Sequence, residues 1–208
     1  MKKIIIFGST GMTGLCALDH AIKKGHEITV FVRDEKKIPE HVNGKVKTVV
    51  GNVINYEQVE KAMIDQEGVV VVLGTRNDLK PTTELSEGMI NIIRAMKKNN
   101  VQLVSVCLSA FLFRPPERVP KIFVDLNADH QRMFDAIKDS GLNWIAVLPP
   151  HISSLPNFSY IIKHDESPGH IISKYGLGEF LVDSLDQPEH YQKVCGIAIN
   201  FTQLCRIQ

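Results

Sequence analysis

The sequence predicts an α/β protein: a single doubly wound domain, with a parallel sheet and helices on both faces. Three observations predict it. Apolar runs of strand length alternate along the chain with helix-length segments. The first run, 3–7, breaks into a turn carrying Gly8, Gly11 and Gly14 and then resumes as a helix. The run 68–73 is apolar throughout, as a strand covered on both faces must be.

Taken in order, strand 3–7 leads through the glycine turn into a helix ended by Gly25-His26, and strand 27–32 follows. Further strands are expected over 46–50, 68–73, 101–106 and 143–148, with helices over 56–66, about 84–99 and 125–140. Thr82 or Thr83 can cap the second of these helices. Segments 160–163 and 170–173 read as a hairpin or two short strands, followed by a helix over 177–184 and a last strand over 194–200. The expected order of the first six strands is 3-2-1-4-5-6. The double proline Pro149-Pro150 stiffens the exit from the sixth strand, and one of its bonds is a candidate for the cis form. The tail 201–208 carries no recognisable chemistry.

Composition narrows the function. At 208 residues, 44% hydrophobic, the chain suits one domain over 1–208, and no linker divides it. A net charge of +1 argues against a dedicated binder of nucleic acid or membrane surfaces. No apolar run approaches the roughly 20 residues that span a bilayer. The chain opens directly on a core strand, so no leader is expected and a cytoplasmic setting is. Cys16, Cys107, Cys195 and Cys205 show no paired spacing, so neither a disulfide framework nor a metal site is expected.

Strand, glycine turn and helix together cradle a pyrophosphate. The first glycine permits the tight turn, the second lets phosphate oxygens approach the backbone, and the third lets the helix pack closely. The helix N-terminus supplies N–H donors. The spacing here is GxxGxxG. About 20 residues beyond such a turn, an acid bonds the ribose of NAD, whereas a cation accepts the 2′-phosphate of NADP. Arg33 and Asp34 offer both; Arg33 comes first off the strand, with Lys36 and Lys37 close by, which favours phosphate over a merely solvated loop. Asn52 can meet the adenine or serve as an ordinary turn residue, and Arg76 can meet phosphate or hold its own loop. Gly74 would let the cofactor lie close to the backbone. Ser109, where the fifth strand opens, faces the expected nicotinamide position or is satisfied by local backbone. His151, past the sixth strand, is expected opposite it, and Phe111 and Phe113 could line a pocket for a flat ring. No tyrosine has a lysine four residues later, so an activated tyrosine for carbonyl reduction is missing; acceptors dominated by hydride transfer are favoured.

Several motifs together resemble the NADPH-dependent flavin reductases, also called biliverdin-IXβ reductases, an atypical short-chain dehydrogenase family with a Rossmann fold. They are Gly8-Ser9-Thr10-Gly11-Met12-Thr13-Gly14, Leu73-Gly74-Thr75-Arg76-Asn77-Asp78-Leu79, Ser109-Ala110-Phe111-Leu112, Asp129-His130 and Pro149-Pro150-His151-Ile152. The resemblance implies NADPH on Gly8, Thr10, Gly11, Met12 and Thr13, with Arg33, Lys36 and Lys37 at the 2′-phosphate. Lys37 stands where the family has arginine, and Arg114 where it has an aromatic near the substrate mouth. The resemblance places Asn52 and Val53 at the adenine, and Leu73, Gly74, Cys107, His130, His151 and Ile152 along the cofactor. It implies Ser109 at the nicotinamide and substrate. His151, by its position, is the second expected catalytic residue, and no metal is expected. The expected activity is hydride transfer from NADPH to flavins (FMN, riboflavin) and biliverdin-IXβ-type tetrapyrroles, as in heme catabolism, by a monomer for which flavin is a substrate rather than a tightly bound cofactor. The alternative is a non-catalytic NADPH-sensing regulator of the same fold. Thiol chemistry at Cys107 is a weaker third idea.

Overall fold

The computed structural model describes residues 1–76, 78–156 and 159–200. Asn77, within the LGTRNDL motif, and the whole tail 201–208 lie outside the described residues. Ten strands and five α-helices are defined among those described. β1 (Lys3–Phe7) leads into α1 (Met12–Lys23) and β2 (Glu27–Val32). β3 (Lys47–Val50), α2 (Tyr56–Met63), β4 (Gly68–Val71) and α3 (Glu84–Lys98) follow. Next come β5 (Leu103–Cys107), α4 (Val124–Lys138) and β6 (Asn143–Leu148). The remainder comprises β7 (His151–Ser153), β8 (Tyr160–His164), β9 (Ile171–Ser173), α5 (Lys174–Asp183) and β10 (Lys193–Ile199).

The main sheet runs β3-β2-β1-β4-β5-β6-β10-β8. The expected order of six is therefore present and is extended at one edge. β10 lies parallel to β6, and β8 closes that edge antiparallel to β10. The segments around 165–169 do not form a hairpin. β8 joins the main sheet, whereas β9 pairs in parallel with β7 in a separate ribbon. Both Pro149 and Pro150 follow trans bonds, because no described peptide bond is cis.

Alternation within the buried strands builds two cores. Ile5, Phe7, Val69 and Val71 face α2, α3 and α4, whereas Ile4, Ile6 and Val70 face α1 and α5. Every residue of β4 is buried, as its unbroken apolar run requires. α2 stops at Met63, short of the expected residue 66, because Ile64 is extended and Asp65 takes a left-handed φ of 62°. Thr83 is the N-cap residue of α3, but its hydroxyl donates to the Glu87 carboxylate at 2.6 Å. Thr82 Oγ1 instead accepts from the Glu84 N–H. No helix among the described residues is long and apolar enough to cross a membrane. The switch between β1 and β4 opens a crevice at the carboxyl ends of the parallel strands.

Candidate functional site

The crevice holds a cleft of about 430 Å³. Its floor is the glycine turn. Gly8 has a φ of +84°, and a Cβ there would stand 2.2 Å from the Val72 carbonyl oxygen. A Cβ on Gly14 would stand 2.1 Å from the Gly8 carbonyl oxygen, so the third glycine packs the first helical turn onto the glycine turn itself rather than onto the sheet. Gly11 is less crowded, with 3.3 Å to the same oxygen, and it caps α1 without a side chain. No acid stands in the first turn of α1, so the positive end of the helix is not offset from within. Thr10, Met12 and Thr13 complete this part of the lining. Thr10 Oγ1 accepts from the Arg76 guanidinium at 3.2 Å; Arg76 holds the loop above the turn with a left-handed φ of 53°.

At the end of β2, Arg33 and Asp34 both line the cleft but are differently engaged. Asp34 Oδ1 accepts from the Lys36 N–H at 3.1 Å and caps the short turn Glu35–Lys37. The Arg33 guanidinium is exposed and has no protein partner among the described residues. Lys37 reaches the lining and Lys36 does not. Asn52 serves as a turn residue, its Oδ1 accepting from the Ile54 N–H at 3.1 Å, and it also lines the cleft beside Val53.

The other end is more apolar. Leu73 and Gly74 line it after β4, and a Cβ on Gly74 would meet nothing within 4 Å. Cys107 lines it too, but burial pushes its thiol up to about 12, so it remains protonated and offers no nucleophile at neutral pH. Leu108, Phe123, Leu126 and Ile152 add apolar wall. His130 enters from α4; burial pulls its imidazole down to about 4 against an opposing pull from Asp129, so it is neutral at working pH. Its buried Nδ1 has no protein partner among the described residues. Asp129, fully buried next to it, accepts from the Leu85 N–H at 3.0 Å and from the Ser86 hydroxyl, and pairs with Arg132 at 3.0 Å. This carboxylate ties the start of α3, where Glu84 and Leu85 line the cleft, to α4.

Ser109 and His151 are not among the residues lining the cleft. Ser109 Oγ accepts from the Phe111 N–H at 3.2 Å and caps the turn Ala110–Phe113, which is the local role weighed against the catalytic one. His151 is exposed at the head of β7; strand alternation turns Ile152 inward instead. Phe111 and Phe113 do not line the cleft either. Phe123 does so, and Phe111 supports it from behind with ring centroids 5.2 Å apart.

The family described as NAD(P)H-binding matches residues 8–188. The chain belongs to it. Among curated proteins, the chloroplast stem-loop binding protein of 41 kDa b from Arabidopsis thaliana is 24% identical over 175 residues, or 76% of this chain. The alignment takes in only 44% of that protein's length. Among solved structures, a Rossmann-fold NAD(P)-binding family protein from Shigella flexneri superposes with a TM-score of 0.78 at 24% identity, covering 96% of this chain and 94% of that one. A short-chain dehydrogenase/reductase from Veillonella parvula, solved with NADP, gives 0.76 at 18% identity, covering 95% and 94%. At these identities the likeness shows the shared Rossmann fold.

The residues present fit an NAD(P)H molecule. Side chains are excluded at Gly8 and Gly14, backbone is bare at Gly74, and a guanidinium without a protein partner stands at the end of β2. Several cleft-lining residues escaped the sequence reading, among them Glu84, Phe123 and Leu126. They lie on loops and helix ends with no local motif. The one available signal was Asp129-His130, a titratable pair inside a helix, because α4 buries both side chains beside the cleft.

Proposed function

We propose that this chain is an NADPH-dependent oxidoreductase delivering hydride to flat conjugated acceptors, flavins first and biliverdin-IXβ-type tetrapyrroles second. One observation carries the reading. A single cleft has Arg33 and Lys37 at one end and an apolar wall of Leu108, Phe123, Leu126 and Ile152 at the other. The engagement of Asp34 with Lys36 leaves Arg33 as the group to receive a 2′-phosphate, which supports NADPH over NADH.

Bound NADPH would supply the hydride from its nicotinamide. The protein's part is placement. The turn Gly8–Gly14 and the N-terminus of α1 hold the pyrophosphate, Arg33 and Lys37 the 2′-phosphate, and Asn52 and Val53 the adenine. Leu73 and Gly74 let the cofactor run close to backbone. The apolar wall excludes water from the face where the rings stack. His130, neutral through burial, offers hydrogen bonds without charge. No tyrosine lines the cleft, so the acceptor takes its proton from water. Ser109 holds the loop behind the acceptor, and His151 stands at its rim. Residues 1–208 act as one monomeric, cytosolic unit, and flavin comes and goes as substrate.

The test is NADPH oxidation with FMN and then biliverdin-IXβ, with NADH as control. Turnover preferring NADPH is expected. Arg33→Ala should raise the KM for NADPH about 30-fold, about 2 kcal/mol, and leave that for NADH unchanged. NADPH binding without turnover on either acceptor would overturn the reading in favour of a sensor. A preference for NADH would transfer the ribose to Asp34.

A further inference from the structure

A second cluster of reactive side chains lies outside the cleft, at the extended edge of the sheet. His164 ends β8, His190 ends the turn Pro188–His190, and Cys195 lies in β10. Their ligand atoms all lie within 4.8 Å of one another. Register explains part of the meeting: Cys195 pairs directly with His164 across β10 and β8, so both side chains project from the same face. His190 arrives from the turn, its Nδ1 2.9 Å from His164 Nε2. Its ring stands edge-on to Phe180 at 5.2 Å and to His164 at the same distance, so it is held from two sides.

We propose that His164, His190 and Cys195 form a three-ligand site for a borderline divalent transition metal of the zinc(II) or cobalt(II) type. Two imidazoles and a thiol suit such ions and do not suit magnesium or calcium, which take oxygen ligands. Bonds of about 2.0–2.1 Å to nitrogen and about 2.3 Å to sulfur put neighbouring donors in a tetrahedral shell roughly 3.3–3.6 Å apart. The imidazole nitrogens must therefore open by a few tenths of an ångström and the sulfur must close in. The exposed His164 has the freedom to make that adjustment. On binding, Cys195 gives its proton to solvent and ligates as thiolate. The exposure of His164 leaves the fourth position to water. The metal would pin the antiparallel edge strand β8 and the 188–190 turn to β10, at residues that do not line the cleft, and so acts on stability rather than on hydride transfer.

The test uses the full chain, freed of metal and kept reduced, titrated with cobalt(II) and then zinc(II). The expected result is one cobalt per chain with a thiolate-to-cobalt charge-transfer band. Zinc should displace the cobalt, and saturating zinc should raise the Tm by about 5 °C. His164→Ala should weaken binding at least about 100-fold, and Cys195→Ser should remove the charge-transfer band. Retention of the Tm rise caused by NADPH shows that each variant is folded. Absence of both the band and the zinc-induced Tm rise in the wild type overturns the proposal. So does a band that survives Cys195→Ser, which would assign the metal to another thiol.

Discussion

The two ends of the cleft are built by opposite means. The phosphate end comes from contiguous chain: residues 7–14 make the turn, and residues 32–37 bring the cations. The acceptor end is gathered from the ends of β4 and β5, the start of α3, α4 and β7, with lining residues as far apart in sequence as Leu73 and Ile152. A function resting on backbone approach is written in glycines and needs little from the rest of the chain. A function resting on a wall of side chains exists only once the tertiary structure is in place. Substitutions should therefore act by different routes at the two ends.

The largest effect is expected at the phosphate end. Gly14→Ala puts a Cβ 2.1 Å from the Gly8 carbonyl, backbone that cannot rotate away, and should cost about 5 kcal/mol in unfolding free energy. Gly74→Ala separates fold from ligand at the neighbouring loop. Its Cβ meets no protein atom within 4 Å, so stability should stay within about 0.5 kcal/mol while NADPH affinity falls. Denaturant unfolding with and without NADPH reads both. Equal effects on stability at the two glycines would abolish the distinction.

At the acceptor end the next largest effect belongs to a residue that touches no ligand. Asp129→Ala leaves the Leu85 N–H and the Ser86 hydroxyl without their buried partner and should cost about 4 kcal/mol. Because the same carboxylate joins α3 to α4, acceptor KM should rise more than NADPH KM in whatever fraction folds.

This division explains what was legible in the sequence. The turn, the alternation of elements and the order of six strands follow from local pattern. Of the residues expected along the cofactor, those of the glycine turn and Arg33 came from local pattern and most of the others from the motif resemblance; all but Lys36 and His151 line the cleft. Lys36 fell outside because the turn capped by Asp34 sends Lys37, not Lys36, toward the cleft. The extended edge was harder: β8 and β10 pair, with Cys195 opposite His164, and no turn signal between them sets the register. At the acceptor end, chain proximity misled. Ser109 and Phe111 follow a strand that does reach the crevice, yet the turn Ala110–Phe113 carries them past it, and Phe123 supplies the ring instead.

The neutrality of His130 gives the acceptor end a pH signature. Its imidazole titrates near 6.5 when free of burial and at about 4 in the fold, so the unfolded chain binds the extra proton first. Its contribution to stability is complete above pH 6.5 and is lost as pH falls toward 4, about 3 kcal/mol in all. His26 and His190, also lowered by burial, slope the same way. Unfolding free energy measured across this window should therefore decline with acid in the wild type and decline less steeply in His130→Gln. Identical slopes would mean that the ring is solvated in the folded state.

The smallest effect is expected where the motif resemblance points most directly. Ser109 Oγ already accepts the Phe111 N–H, so Ser109→Ala removes a turn cap worth about 1 kcal/mol and leaves the cleft lining unchanged. The kcat with FMN should fall less than about tenfold, because the hydroxyl acts through the position of its loop and not on the reacting atoms. Ser109→Thr, which can keep the cap, should restore most of the loss. A drop beyond about a thousandfold with unchanged stability would require the hydroxyl to turn from Phe111 toward the acceptor and donate a proton there. The acceptor end would then be wired through a local motif after all, as the phosphate end is.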